Sequence, residues 1–219
     1  VTLGSKMPTA ALDAHVVLFK PTDLRLHDHQ PLIAAHRAAA VEGGIVIHLC
    51  VLDAFFFGPS APPSREAKLP RLDRKRAAFL QQSIEALQQS IAGHGHELLV
   101  YLGRTVDALS AIAAMVRAQS PPSTVAAVYA HGPELTSEEQ HIERSIAAQY
   151  TLKLYWGWTL THIDDLPVSM ARGKSCPDRF KPFLEAVQRG KGPARYRPAA
   201  PQPAWTARAM PRQLQCAIV

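Results

Sequence analysis

Hydrophobic residues fall in short unbroken runs separated by stretches with a three- and four-residue period, and the two patterns alternate along the chain. Val16-Val17-Leu18-Phe19 is apolar without a break and half β-branched, as expected of a strand buried on both faces. Pro21 ends it, because proline cannot continue a central ladder. Residues 45–52, 97–102, 125–130 and 152–156 repeat the pattern as four further strands. His48 interrupts the second and reads as a hydrogen-bonded core residue. Between them the spacing predicts helices. One starts with Pro31 in its first turn and stops at Gly43-Gly44. A long one carries Leu69, Leu72, Arg76, Phe79, Leu80, Ile84, Leu87 and Ile91 and ends at Gly93 and Gly95. A third, capped by Thr105, carries Leu109, Ile112 and Val116, and a fourth begins at Thr136 or Ser137.

Strands alternating with helices at these lengths predict an α/β fold: a five-stranded, doubly wound parallel sheet, Rossmann-like, in strand order 3-2-1-4-5. A basic, Pro-rich C-terminal segment follows. Ligands of such sheets bind beyond the C-terminal ends of the strands, where the strand order reverses. Loops 20–25, 53–57 and 131–134 should meet there, which makes Lys20, Asp53, Phe55 and His131 candidate lining residues. The first loop crowds Asp23, Arg25 and Asp28 behind a buried strand; such charges must pair or reach water, giving an ion-paired turn with Asp28 near the next N-cap.

Composition divides the chain. The total charge is +6, yet ten Lys/Arg against Asp178 and Glu185 give residues 170–219 a net of +8. The body before them is nearly neutral, so the high isoelectric point belongs to the C-terminal segment, where Arg189, Lys191, Arg195 and Arg197 could meet nucleic-acid phosphates. The expected organisation is an unstructured or vector-derived N-terminus over 1–14, an α/β domain over 15–168, and a short helix with a linker-like tail over 169–219. The three cysteines, Cys50, Cys176 and Cys216, are widely spaced and read as free thiols of a reducing, intracellular compartment, with Cys50 in the core. No run of eighteen apolar residues suggests a membrane span, and residues 1–6 lack the apolar stretch of a secretory signal.

Several motifs add a resemblance. Asp23-Leu24-Arg25-Leu26-His27-Asp28 after the first strand resembles the opening of the photolyase/cryptochrome N-terminal domain. Arg76-Ala-Ala-Phe79-Leu80-Gln-Gln-Ser83-Ile84 is similar to that family's Arg-x-x-Phe-Leu-x-x-Ser-Leu helix. The stretch from Trp156-Gly157 through Thr159-Leu160, His162 and Asp164-Asp165-Leu166-Pro167 is similar to Trp-Gly-x-Thr-Leu-x-His-x-Asp-Asp-Leu-Pro, nearest the cryptochrome-DASH branch. Pro177-Asp178-Arg179-Phe180 with Phe183 resembles the segment that follows. The likeness spans roughly 16–188. It implies an antenna-type α/β half that holds a light-harvesting folate, such as methenyltetrahydrofolate, or another chromophore such as a deazaflavin. A separate helical domain carries FAD and the photochemistry, whether blue-light response or light-driven DNA repair. Glu134 matches the carboxylate that accepts hydrogen bonds from the pterin edge. The helical FAD domain is the implied partner; on this likeness the chain holds the antenna half without that domain and has no repair activity alone.

This sequence departs from the family pattern where it matters for the ligand. Phe19-Lys20-Pro21-Thr22 replaces Trp-Phe-Arg-x, so Pro21 stands where an arginine would offer its fork of donors. His29 replaces a common asparagine and Lys181 a threonine. Chromophore binding is therefore expected to be weak or absent. Two rival readings compete with this one: a nucleotide-binding α/β module, and a partner-binding module with a DNA-contacting tail. The first lacks Gly-x-x-x-x-Gly-Lys-Ser/Thr and Gly-x-Gly-x-x-Gly, and His94-Gly95-His96 falls between a helix and a strand, where glycine is a helix stop. No Gly-x-Ser-x-Gly elbow and no metal-ligand spacing stand out, and His27-Asp28-His29 does not make one.

Overall fold

A computed structural model describes residues 12–58, 61, 63, 71–133, 136–157, 166, 176–191, 202–205 and 208–209. The elements are β1 (Ala14–Phe19), α1 (Gln30–Glu42), β2 (Ile45–Asp53), the single turn α2 (Ala54–Phe57), α3 (Arg74–Ala92), β3 (Leu98–Gly103), α4 (Thr105–Gln119), β4 (Val125–His131), α5 (Ser137–Ala147), β5 (Leu152–Tyr155), α6 (Phe180–Lys191) and β6 (Arg208–Ala209). The main path of the sheet runs β3-β2-β1-β4-β5, all parallel, as the alternation of strands and helices predicts. β1 sits at the switch, paired with β2 on one side and β4 on the other.

Alternation along each strand sorts the core into two layers. Ala14, Val16 and Leu18 of β1 and Ile45, Ile47, Leu49 and Val51 of β2 pack with Leu109, Ile112 and Val116 of α4 and Ile146 of α5. Val17, Phe19, Val46 and Cys50 point the other way, onto Leu32 and Ala35 of α1 and Leu80, Ile84, Leu87 and Ile91 of α3. Each Val, Leu, Ile or Phe among these contributes about 1.5–3 kcal/mol on burial, which is what holds the helices on both faces.

The helix ends follow local chemistry, with some corrections. His29, not Asp28, caps α1: its Nδ1 accepts the Leu32 N–H at 3.1 Å, while Asp28 is exposed with φ of 50°. Thr105 is the first residue of α4 and does not cap it; its N–H and hydroxyl both go to Asp53. α3 begins behind Asp73, whose carboxylate accepts the Arg76 N–H, so Leu72 precedes the helix. Phe79 is 71 % exposed and lies off the buried face, because the helical stripe is completed by Leu80 and Ile84. Leu69 lies outside the described residues. α5 starts at Ser137 with Thr136 as N-cap, its hydroxyl oxygen accepting the Glu139 N–H and its O–H donating to the Glu139 carboxylate.

The C-terminal segment does not simply trail away. Arg208–Ala209 pairs with Ile45 and Val46 of β2, along the part of that strand that β3 leaves uncovered, since β3 pairs only from His48 onward. Trp205 packs against the α1–α3 layer. At the turn from α1 into β2, Gly43 takes a left-handed φ of 76° and Gly44 has no room for a side chain: a Cβ would meet the Asp13 carbonyl and the His15 ring. Gly44→Ala is expected to cost about 1–3 kcal/mol, read as a fall in the thermal midpoint.

Candidate functional site

A cleft of about 420 Å³ opens beyond the C-terminal ends of β1, β2 and β4, at the switch point. Its floor is apolar, made of Leu18, Val51, Ala130 and Ile146. Lys20, Pro21 and Thr22 form one wall and the α2 turn, with Phe56 and Phe57, another. Thr136, Glu139, Ile142 and Glu143 line it from α5 and its cap, and Arg71 and Arg76 from the start of α3 and the chain before it. Two of the three expected loops therefore meet. The third wall is the face of α5; Glu134 lies outside the described residues.

The expected residues take different places. Lys20 faces the cleft, donating from Nζ to the His131 carbonyl at 2.6 Å and to Glu143 Oε1 at 3.0 Å. Asp53 borders it, but its carboxylate is committed to the scaffold: Oδ1 accepts the Phe55 N–H at 3.0 Å and Oδ2 the Thr105 N–H and hydroxyl at 2.9 and 2.7 Å. It lines the cleft as expected and at the same time ties the end of β2 to the start of α4, a positioning role. Phe55 takes a place other than the expected one. It is half exposed and outside the lining, because in the one-turn helix its neighbours Phe56 and Phe57 turn inward. Arg71 lies 5.8 Å from the centre of the Phe55 ring and 5.5 Å from that of Phe56. His131 is also not a lining residue; its ring is fully buried and bonded to Asp23 behind the cleft.

Asp23 is the hub of the turn. Completely shielded from water, it accepts the Lys20 N–H at 2.6 Å and His131 Nδ1–H at 2.9 Å, with His29 Nε2 at 3.6 Å. Burial pushes its carboxyl up, but the two imidazoles more than offset this and hold it at about 2. Burial lowers His29, against the pull of Asp23. The capping bond fixes the His29 tautomer: Nδ1 accepts, so Nε2 carries the proton toward Asp23. Gly157 of the Trp-Gly motif belongs to the same cluster, since a Cβ there would lie 2.6 Å from the His131 ring. Arg25 turns away and donates to the carbonyls of His27 and Asp28 at 3.2 and 3.4 Å. Asp164, Asp165, Arg195 and Arg197, and the side chains of Arg189 and Lys191 on α6, lie outside the described residues.

Sequence reading passed over Glu143, Glu139 and Arg71. Glu143 carries a usable signal, because it sits between Ile142 and Ile146 on the buried side of α5. Arg71 lies in a loop whose path only the fold defines. Taken together, an apolar floor, two phenylalanines and two guanidinium groups suit a planar, partly anionic heteroaromatic ligand.

A doubly wound α/β domain with a cleft at its switch point is thus the class of protein. The model of the DNA photolyase family matches residues 15–204, and the chain belongs to that family. It is similar to cryptochrome DASH of Synechocystis sp. PCC 6803, 32 % identical over 181 residues covering 80 % of this chain and 33 % of that protein. Cryptochrome DASH of Gloeobacter violaceus is 34 % identical over 195 residues, 86 % of this chain and 34 % of that one. The crystal structure of the Synechocystis cryptochrome superposes with a TM-score of 0.68 at 27 % identity, over 94 % of this chain and 41 % of that one. The chain spans about a third of the length of the curated relatives it matches. The fold and the motifs are those of the N-terminal α/β region, on the DASH side of the family. Among the described residues no helix is long and apolar enough to cross a membrane.

Proposed function

We propose that this α/β unit is the light-gathering half of a photolyase/cryptochrome-type flavoprotein and that the switch-point cleft receives its antenna chromophore, a reduced folate or a deazaflavin. The observation that carries this is the cleft itself: about 420 Å³, apolar below, edged by Phe56 and Phe57, with Arg71 and Arg76 at its border. Flat rings gain area against the phenylalanines, and the guanidinium groups suit the carboxylate or phosphate tail such chromophores carry. In this reading FAD and the electron-transfer chemistry belong to a helical partner domain, and blue-light response or DNA repair belongs to the two together.

With proline at position 21, where the family's arginine would reach the ligand, affinity should be modest, weaker than about 1 μM. Titration of the purified chain with methenyltetrahydrofolate and with a deazaflavin, followed by the shift of the chromophore's absorption band, tests this. Saturable binding is expected, abolished by Thr22→Trp at the exposed rim and weakened about tenfold by Glu134→Ala if the pterin edge is read as the family likeness implies. Binding indifferent to Thr22→Trp removes the chromophore from the cleft; indifference to Glu134→Ala alone removes Glu134.

A further inference from the structure

Away from the cleft, on the α1–α3 face of the sheet, three histidines from three elements converge. His36 projects from α1, His48 from β2, and His96 from the turn after α3, behind Gly95 at φ of 78°. All three are buried. Their ring centres form a nearly equilateral triangle with sides of 5.2, 5.1 and 5.1 Å, and each ring offers a nitrogen within 4.8 Å of the other two. We propose that His36, His48 and His96 form a three-histidine site for a divalent ion of the zinc class, closed over by Trp205.

Geometry favours an ion over a hydrogen-bonded trio. A tetrahedral ion about 2.05 Å from each ligating nitrogen holds the ring centres on the order of 5.2 Å apart. Hydrogen bonding accounts for only one contact in the triangle, His36 Nε2 to His48 Nε2 at 3.0 Å. His96 Nδ1 stays buried with no hydrogen-bond partner, a costly arrangement for a polar nitrogen unless something else binds it. Tetrahedral coordination would open the 3.0 Å pair only to about 3.3 Å. The rings are also held from behind, His48 by a hydrogen bond to the Glu97 backbone and His96 by one to that of Trp205, the outer contacts that orient metal-bound imidazoles.

Donor type chooses the ion. Three imidazoles without a carboxylate suit zinc, cobalt or nickel and do not suit calcium or magnesium, which need oxygen. The fourth position is left for water. Trp205 lies 4.8, 5.7 and 5.3 Å, centre to centre, from His36, His48 and His96 and stacks on His94 at 4.3 Å. The ion would pin α1, β2 and the α3–β3 turn into one unit and fix the surface on which the C-terminal segment is docked.

The full chain, stripped with a chelator and dialysed, is titrated with cobalt(II) and then zinc(II). One cobalt per chain with the intense visible band of tetrahedral coordination, displaced by one zinc, is expected. At a hundredfold excess over its dissociation constant, zinc should raise the folded-to-unfolded ratio about 100-fold. His96→Gln, in the turn, should weaken binding at least tenfold, and exposed His141→Gln should leave it unchanged. Absence of saturable binding, the pale spectrum of octahedral surface cobalt, or binding equal in wild type and His96→Gln overturns the site. Should His96→Gln not fold, the wild-type cobalt spectrum alone decides.

Discussion

Asp23→Ala should lower the stability of the domain by about 3–5 kcal/mol in urea denaturation at neutral pH, because it removes the one carboxylate that organises the turn after β1. The Lys20 N–H and His131 Nδ1–H both end on Asp23, in a place water does not reach. Alanine leaves two buried donors facing nothing, and His29, which caps α1, loses the carboxylate that its Nε2–H faces. Asp23→Asn keeps the shape and one acceptor and should cost less, about 1–3 kcal/mol. A loss under about 1 kcal/mol in the alanine variant would mean the cluster is not a hub.

The same residue makes a pH prediction whose sign is fixed. Its carboxyl is held at about 2 in the folded chain, below the ordinary 3.8, so the native state prefers the ionised form. The stabilisation is complete above the unfolded value near 3.8 and disappears as the pH falls through about 2. That shift is worth about 2 kcal/mol. The stability gap between wild type and Asp23→Asn should therefore be constant above about pH 4.5 and shrink by this amount toward pH 2. A gap that widens on acidification would refute the assignment.

The second large effect is expected at the cleft wall. Lys20 and Glu143 meet at 3.0 Å with side chains 16 % and 10 % exposed, so neither charge is well solvated. Lys20→Met removes the ammonium that meets Glu143 and should cost about 3 kcal/mol. The double variant Lys20→Met/Glu143→Leu should recover most of it, since replacing both members of a buried pair with apolar groups is often neutral. A double-mutant cycle with a coupling under about 0.5 kcal/mol would show that the two act independently. The pair also matters for the cleft's shape, because the same Nζ holds the His131 carbonyl and so joins the ends of β1 and β4 to α5.

How much of this was readable in the chain differs from element to element. The five main-path strands and the helices between them were placed to within a few residues, because burial on both faces writes a continuous apolar run and burial on one face a helical stripe. The strand order agreed with the expectation for this alternation. Motifs extended that reading: Asp23 lies under the β1 turn, and Gly157 allows His131 to approach. Side-chain orientation was harder. Phe55, Phe56 and Phe57 are identical in the sequence, and only the single turn of α2 decides that the last two face the cleft. Asp53 lines the cleft, as its place at a strand end suggests, but only the fold shows that its oxygens are taken by the Phe55 N–H and by the start of α4, 52 residues away.

Local periodicity and contiguous motifs are enough to set the alternation of elements, the switch-point location of the cleft and the family. Tertiary structure alone decided which buried polar groups meet. Asp23 and His131 are 108 residues apart, and His36, His48 and His96 come from a helix, a strand and a turn. Such pairings leave no periodic trace: each histidine is a lone polar residue in an otherwise ordinary pattern, and only the packing of α1, β2 and the α3–β3 turn on one face of the sheet makes them a cluster. The return of Arg208–Ala209 to β2 has the same cause, an edge that β3 leaves unpaired and that no local pattern announces.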